Sequence, residues 1–376
     1  MNEKIRAAVV GCGVISDIYL QNIADRFEIM EAVACSDINE NRMNEQAAKY
    51  GIKAMSYDEI IHNSDIDMII NLTNPSAHFA LTKEALEHKK HVYSEKMMAV
   101  KLEEGKELCS LAEENHVRLG VAPDTFLGGS VQTARYVVEH GLIGTPLSAI
   151  VSLNRDFRVF GDIFPHMNAK GGSIAFDTGC YYITALASIM GTAEEVSGMG
   201  RIYEPERVSK RVDRPWFESP IQIEEENLLV GTIRFTNQVL ATVHFNSANI
   251  IDEQPCIKIF GTEGILIMGD PNKFDSPVYL KKMLGETIQF PFTHGYLKNA
   301  RGVGAAEMAW SIRQGREHRA SKEMAYHVLE ILHGMIISSG TGKTYRLQSE
   351  FQQTEALPTG YLDHGFWGPK EESALV

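Results

Sequence analysis

Through the first third of the chain, short apolar runs alternate with amphipathic polar stretches. Ile5 to Val10 is a buried-strand pattern, and Glu31 to Ser36 is a second one, ending at Asp37. Glu40 to Tyr50 reads as a polar helix, and Ile66 to Leu72 as a strand that stops at Thr73-Asn74-Pro75. Ser76 is the expected cap of a helix running to about His88. His91 to Ser94 is a further short strand, Leu102 to Asn115 a helix, and Arg118 to Ala122 a last strand before Pro123. Strand and helix in strict alternation predict a parallel sheet with helices on both faces.

The period changes after Pro123. Ser130 to His140 is a helix with Val131, Ala134, Val137 and Val138 on one side. Leu229, Gly231, Ile233 and Phe235 then alternate with polar neighbours, and Val239, Ala241, Val243 and Phe245 do the same. Period two in adjacent runs predicts antiparallel hairpins. Cys256 to Phe260 and Ile265 to Met268 flank the turn Gly261-Thr262-Glu263-Gly264, and Met324 to Ile337 returns to helical spacing. Tyr203 to Asn227 is polar and reads as a long loop, and the tail from Glu350 to Val376 as extended chain. The expected fold is α/β, with a Rossmann-type parallel-sheet domain over residues 1–122. An α+β domain with a large open, mainly antiparallel sheet follows over 123–376. One face of such a sheet needs a cover, for which a second subunit is the natural candidate, giving a homodimer or homotetramer.

The first strand runs into Gly11-Cys12-Gly13-Val14-Ile15-Ser16, and Asp37 follows about 20 residues past Ser16. Strand, glycine turn, helix, strand and acid are the layout that cradles a dinucleotide. Gly11 permits the turn, Gly13 lets backbone approach a pyrophosphate, and the helix N-terminus faces its charge. Asp37 accepts from ribose hydroxyls and repels a 2′-phosphate, which favours NAD over NADP. Arg42 is near enough to stack on an adenine or meet a phosphate, although a solvated helix face suits it equally.

At 376 residues the chain exceeds one ordinary core, and its net charge of −13 argues against nucleic acid or an anionic membrane as partner. No apolar run is long enough for a membrane span, and the chain enters its first strand at once, so no signal peptide is expected. The five scattered cysteines contain no Cys-x-x-Cys pair, which suits a reduced, cytoplasmic protein. No metal site is expected: His88 and His91 lack co-ligands, and Gly342-Lys343-Thr344 is not preceded by a P-loop.

Three further stretches stand out: Thr73-Asn74-Pro75 with His78, Tyr93-Ser94-Glu95-Lys96, and Gly171 to Tyr181. With the N-terminal glycines, and over about residues 4 to 349, their order resembles the Gfo/Idh/MocA oxidoreductases. The resemblance implies that Lys96 lies beside the nicotinamide and the reacting hydroxyl, and that Thr73, Asn74, Pro75, His78 and Glu95 line the cofactor with Gly11, Gly13, Val14, Ile15 and Asp37. Met97 stands where that family has proline, so a trans bond is expected, since a cis non-proline bond costs about 2.5–4 kcal/mol. Tyr181 stands where histidine is usual, and Thr184 where a second aspartate is usual. Asp177 and Tyr181, four apart, share one face if helical.

These residues support alcohol–ketone redox on a sugar, cyclitol or related polyol. Tyr181 is the expected acid/base, its pKa lowered by the Lys96 ammonium, with Lys96 itself as base nearly as well supported. Asp177 would orient Lys96 or a substrate hydroxyl. Asp124, Arg155, His166, His294 and Arg301 are polar loop residues that could meet substrate. Two rivals are an NAD-retaining glycosidase and a non-catalytic dinucleotide sensor.

Overall fold

The structure, a computed structural model, describes residues 3–249 and 256–361. The N-terminal elements are β1 (Ile5–Val10), α1 (Ser16–Asp25), β2 (Met30–Ser36), α2 (Glu40–Tyr50), β3 (Lys53–Ala54), α3 (Tyr57–His62), β4 (Met68–Asn71), α4 (Pro75–Glu87), β5 (His91–Ser94), α5 (Leu102–Glu114) and β6 (Leu119–Val121). The six strands form one sheet in the order β3-β2-β1-β4-β5-β6, and every pairing is parallel. Buried on both faces, β1 and β4 have no polar alternation to display, so they read as continuous apolar runs.

Local signals set the helix ends. The Asn39 side chain accepts from Arg42 N, and Gly51, at φ 65°, closes α2 in the left-handed region. Ser56 and Glu59 form a capping box on α3. The expected cap Ser76 lies instead inside α4. Pro75 takes the first helical position, where its missing N–H costs nothing, which moves the cap back to Asn74.

The second half contributes α6 (Gly129–Glu139), β7 (Pro146–Asn154), α7 (Phe157–Gly161), α8 (Cys180–Met190), β8 (Ala193–Arg201), β9 (Glu206–Val208), β10 (Pro220–Gln222), β11 (Leu228–Phe235), β12 (Leu240–Asn246), β13 (Cys256–Gly261), β14 (Gly264–Met268), β15 (Val278–Lys282), β16 (Thr287–Phe290), α9 (Val303–Gln314), α10 (Lys322–Thr341) and β17 (Tyr345–Arg346). Nine strands form one sheet, β16-β15-β14-β13-β7-β12-β11-β8-β17. Only β7 and β12 pair in parallel; their neighbours are antiparallel, as the period-two runs predict. The stretch 203–227 corrects the loop reading: it carries the two-stranded sheet β9–β10, whose three-residue strands are too short and polar to show a period. Residues 350–361 form no regular element, and 362–376 of the expected tail lie outside the described residues.

One face of the large sheet is covered by α10. A side chain at Gly198 would bring its Cβ within 2.4 Å of Met335 O, so the helix rests on bare backbone there. On the other face Ile150, Met199, Val230 and Leu240 are exposed. Among the described residues no helix is long and apolar enough to cross a membrane.

The two halves interlock. The segment before α10 returns to the edge of the first sheet, where Val121 N donates to Ala320 O at 3.0 Å and Gly120 bridges Ser321. Asn22 on α1 donates to the carbonyls of Asn299 and Arg301 at 3.0 and 2.9 Å. Asp124 Oδ2 accepts from Gly302 N and Gly304 N at the start of α9.

Candidate active site

The glycine turn leaves β1 with Gly11 at φ 99°. A Cβ on Gly11 would lie 2.7 Å from the Leu72 carbonyl carbon, so glycine is required both for the turn and for the crossing of β4. A Cβ on Gly13 would meet nothing within 4 Å, so its backbone faces open space. Ser16, the third small residue, is fully buried and donates back to Gly13 O at 2.7 Å. Asp37 ties the turn to β2: Oδ2 accepts from Cys12 N at 2.7 Å and Oδ1 from Asn39 N. Arg42 pairs with Asp37 at 3.2 Å instead of projecting as a free helix face. Val14 and Ile38, on the two loops joined by the Cys12–Asp37 bond, are 86% and 102% exposed. Open glycine backbone, a helix N-terminus, a carboxylate whose Oδ2 has a lone pair to spare and two bare apolar side chains fit the phosphate, ribose and base of a dinucleotide.

At the end of β4, Thr73 N and Oγ1 donate to Asn71 Oδ1, and Pro75 opens α4. His78 is buried and joins two loops, with Nδ1 2.7 Å from Met97 O and Nε2 2.9 Å from Thr73 O. Burial keeps its pKa below the ordinary range, against the pull of both carbonyls. Glu95, at the end of β5, accepts from the Tyr19 hydroxyl at 2.7 Å, which fixes it against α1. The Lys96–Met97 bond is cis, which corrects the expected trans bond. The packing around it over-determines the turn: Met97 and Met98 are buried, and the Met97 carbonyl is held by His78.

Lys96 Nζ lies 2.7 Å from Asp177 Oδ1 and 5.8 Å from the centre of the Tyr181 ring. Asp177 and Tyr181 do not share a regular helix. Residues Ala175–Gly179 form a π turn that leads into α8, so Asp177 sits on the wider turn and Tyr181 on the first α turn. Such a turn has no signature in periodicity. It still brings both side chains to Lys96.

Burial opposes charge on Lys96, yet Asp177, Tyr181 and Cys180 outweigh it and hold the ammonium above the ordinary lysine range. Burial likewise opposes ionisation of Asp177. The Lys96 charge, with hydrogen bonds from Lys96 and Thr178, prevails and keeps the carboxyl below its usual range. For Tyr181 the expectation is overturned: burial pushes the hydroxyl above its ordinary pKa, and the cations Lys96 and Arg301 only reduce that rise. At neutral pH the site therefore holds an ammonium, a carboxylate and a neutral phenol.

Of the other candidates, His166 stands beside this group, kept neutral by burial with Asp177, Lys96 and His78 as its charged or titratable neighbours. Asp124 is buried with Arg301 and Glu95 as its charged neighbours, and desolvation raises its pKa to about 6 against the amides of Gly304 and Gly302. Arg155 is engaged elsewhere, paired with Asp270 at 3.2 Å. The structure does not bring His294 to the site: its ring binds Leu357 O and Thr293, near Glu139 and Arg135. Thr184 is buried on α8. Tyr19 and Asn22 are supporting residues that sequence reasoning missed, because each sits at an ordinary buried position of α1. Among the described residues no cluster suits a metal ion.

A 3-2-1-4-5-6 parallel sheet with this turn and acid, closed by an α+β half that supplies Asp177 and Tyr181, defines a two-part dinucleotide-dependent oxidoreductase. Residues 5–122 match the Gfo/Idh/MocA oxidoreductase family with its NAD-binding Rossmann fold, and 131–267 match the Gfo/Idh/MocA C-terminal domain. The protein belongs to the Gfo/Idh/MocA family, and its cofactor is NAD. It is 27% identical over 274 residues to the uncharacterized oxidoreductase YrbE of Bacillus subtilis, covering 70% of this chain and 73% of that one. To the myo-inositol 2-dehydrogenase of Thermotoga maritima it is 24% identical over 273 residues, covering 69% and 74%. Among solved structures, the apo form of a levoglucosan dehydrogenase superposes with a TM-score of 0.81 at 18% identity, over 93% of this chain and 100% of that one.

Proposed function

We propose that this oxidoreductase interconverts a hydroxyl-bearing carbon and a ketone on a sugar, cyclitol or related polyol. The observation that carries the reading is the buried Lys96–Asp177 pair set against Tyr181 at the meeting of the two halves. The names of the relatives support the substrate class. Bound NAD(H) accepts or supplies the hydride. Tyr181, neutral at pH 7, donates its proton to a ketone oxygen in the reducing direction. Lys96 and Arg301 stabilise the phenolate left behind, and Asp177 keeps Lys96 charged and aimed. In the oxidising direction Tyr181 must first lose its proton. Its raised pKa then makes the rate climb about tenfold per pH unit from neutrality upward.

Residues 1–122 are taken as the cofactor-binding part and 123–376 as the part that binds substrate and assembles. The exposed apolar residues on the large sheet favour a homodimer or homotetramer in the cytoplasm, with no nucleic-acid or membrane partner. The test is a polyol panel with NAD⁺, followed by Lys96→Met and Tyr181→Phe. Each substitution should lower turnover by roughly 10²–10⁴-fold while NAD affinity holds. Their combined effect should fall short of the product, because the residues act together. Full turnover by Tyr181→Phe would refute the assignment.

A further inference from the structure

Residues 203–227 form an arm with no core of its own: among these described residues only Ser209 is buried. Polar pins hold it instead. The Asp162 side chain, 2% exposed, pairs with Arg207. It also accepts from Ser209 Oγ at 3.0 Å and from Lys210 N at 2.9 Å. The Asp162 carbonyl accepts from Trp216 Nε1 at 2.8 Å. Every one of these donors belongs to the arm. The far end of the arm is tied to the same segment a little further on. Glu224 N donates to Asn168 O at 2.9 Å, and Glu225 Oε2 accepts from Gly171 N at 3.0 Å. A cavity runs along this seam, lined by Met167, Asn168, Ser173, Arg207 and Glu225 among others.

The glycine pair held by Glu225 is the entry to the turn that carries Asp177. Gly171 has φ 76°, and a Cβ there would lie 3.0 Å from the side chain of Val100, on the loop that carries Lys96. A Cβ on Gly172 would lie 1.9 Å from His166 O, so only glycine fits. Just beyond, Ser173 O accepts from Asp177 N at 2.7 Å and opens the π turn. The pair is therefore held on three sides: by the Lys96 loop, by the His166 backbone and by the Glu225 carboxylate. Two of these walls are steric and belong to neighbouring chain. The third is a single hydrogen bond that only the arm supplies.

Building on the function proposed above, we infer that Glu225 is a positioning residue for Asp177. The arm, pinned at Asp162, carries the Glu225 carboxylate to the Gly171 amide, and that bond fixes the turn from which Asp177 reaches Lys96. The Lys96–Asp177 pair needs such a fix because its members, 2.7 Å apart, come from different halves of the chain. A carboxylate at the entry to a helix also suits the positive end of its dipole. Misplacing a reacting group by about 1 Å can cost about 10²-fold in rate, so a bond that sets this turn is felt in turnover.

The experiment uses the full chain and two readouts. The first is kcat on a reactive polyol with NAD⁺. Glu225→Ala removes the acceptor and should lower kcat by about 10–100-fold while calorimetric NAD affinity holds. Glu225→Gln keeps an acceptor oxygen of the same reach and should recover most of that loss. Asp162→Asn, which loosens the arm far from Gly171, should lower kcat in the same way. The second readout needs no substrate. Urea unfolding of the cofactor-free protein is measured for Glu225→Ala, Asp177→Asn and the double variant. If Glu225 sets the Asp177 turn, part of the Asp177→Asn effect is already lost in Glu225→Ala, and the two shifts should sum to more than the double variant shows; independent sites add. Parental kcat in Glu225→Ala, strictly additive unfolding shifts, or a Glu225→Gln variant as impaired as Glu225→Ala would overturn the inference. So would a kcat loss matched by an equal loss of NAD affinity, which would make Glu225 a general prop of the fold. If no polyol reacts but the unfolding shifts are coupled, the proposed function fails and the positioning role stands. Polyol turnover with additive shifts does the reverse.

Discussion

Replacing Asp177 by asparagine should destabilise the protein more than removing the Lys96–Asp177 pair altogether. The two side chains are 18% and 16% exposed, and their charges sit 2.7 Å apart. At an effective dielectric constant of about 20, the attraction at that distance is about 6 kcal/mol gross, most of which offsets the desolvation of the two ions. Asp177→Asn removes the attraction and leaves the buried ammonium, so the expected loss is about 3–5 kcal/mol. At 1.36 kcal/mol per unit, the Lys96 pKa should fall by roughly 2–4 units. The pH window follows from the directions of the two shifts. Lys96 is raised in the fold, so its share of stability is complete below the free lysine value of about 10.4 and is lost only as pH rises through the higher folded value. Asp177 is lowered, so its share is complete above about 3.9 and is lost as pH falls through the folded value. The difference between unmutated protein and Asp177→Asn should therefore be flat from about pH 5 to pH 9. Urea unfolding of the cofactor-free protein at both ends of that window measures it. Lys96→Met/Asp177→Asn should recover part of the loss, because no charge is left stranded. A single variant within about 1 kcal/mol of the parent, or a double variant weaker than Asp177→Asn, would refute the reasoning.

Asp37→Ala should cost NAD about 10–100-fold in affinity and erase its advantage over NADP, read by calorimetry; a parent protein that binds NADP more tightly would contradict the role given to Asp37. Glu307, fully buried, accepts from Arg316 Nη1, Arg319 N and Arg319 Nη1. Glu307→Gln strands two guanidinium groups and should cost about 3 kcal/mol in unfolding free energy; an unchanged urea midpoint would mean that water already neutralises them. Leu240→Asp, on the bare face of the large sheet, should convert an oligomer into monomers in light scattering. A parent protein that is monomeric at micromolar concentration would end the assembly proposal.

The first sheet is legible because its physics is local. The inner strands β1, β4 and β5 are buried on both faces, α2 and α3 carry their own caps, and right-handed crossovers leave few ways to assemble such units. The glycine turn and Asp37 are legible for the same reason, since turn, helix N-terminus and acid belong to one contiguous unit. In the second half the hairpin β11–β12 shows its period of two, but β8, with glycines at 198 and 200 to admit α10 and Glu226, shows none. Lys96, Asp177 and Tyr181 are brought together as the sequence suggested, while the direction of the Tyr181 shift is the reverse of the one expected. A lysine beside a tyrosine implies a lowered tyrosine pKa only if both stay wet, and burial is a tertiary fact. The π turn under Asp177 and the cis bond after Lys96 are equally tertiary.

What the sequence conceals most completely is why the site needs the end of the chain. Asn22, Asp124 and Arg301 lie far apart in sequence and carry no motif, yet they form one clamp. Asn22 belongs to the helix that faces the cofactor phosphates, and Asp124 follows the last strand of the first sheet. Together they hold the loop that presents Arg301 to Tyr181. Through Asn22 the first half helps to orient a cation of the second, while the second half returns the favour through Asp177, which neutralises the first half's Lys96. Neither half is complete alone: without Asn22 the carbonyls of Asn299 and Arg301 lose the donor that ties their loop to the first half, and without Asp177 Lys96 is a buried ammonium with no counter-ion. The catalytic geometry and the docking of the two halves are therefore the same set of interactions. A substitution that loosens one, such as Asn22→Ala, should disturb the other through the Arg301 loop, even though Asn22 touches neither Tyr181 nor Lys96.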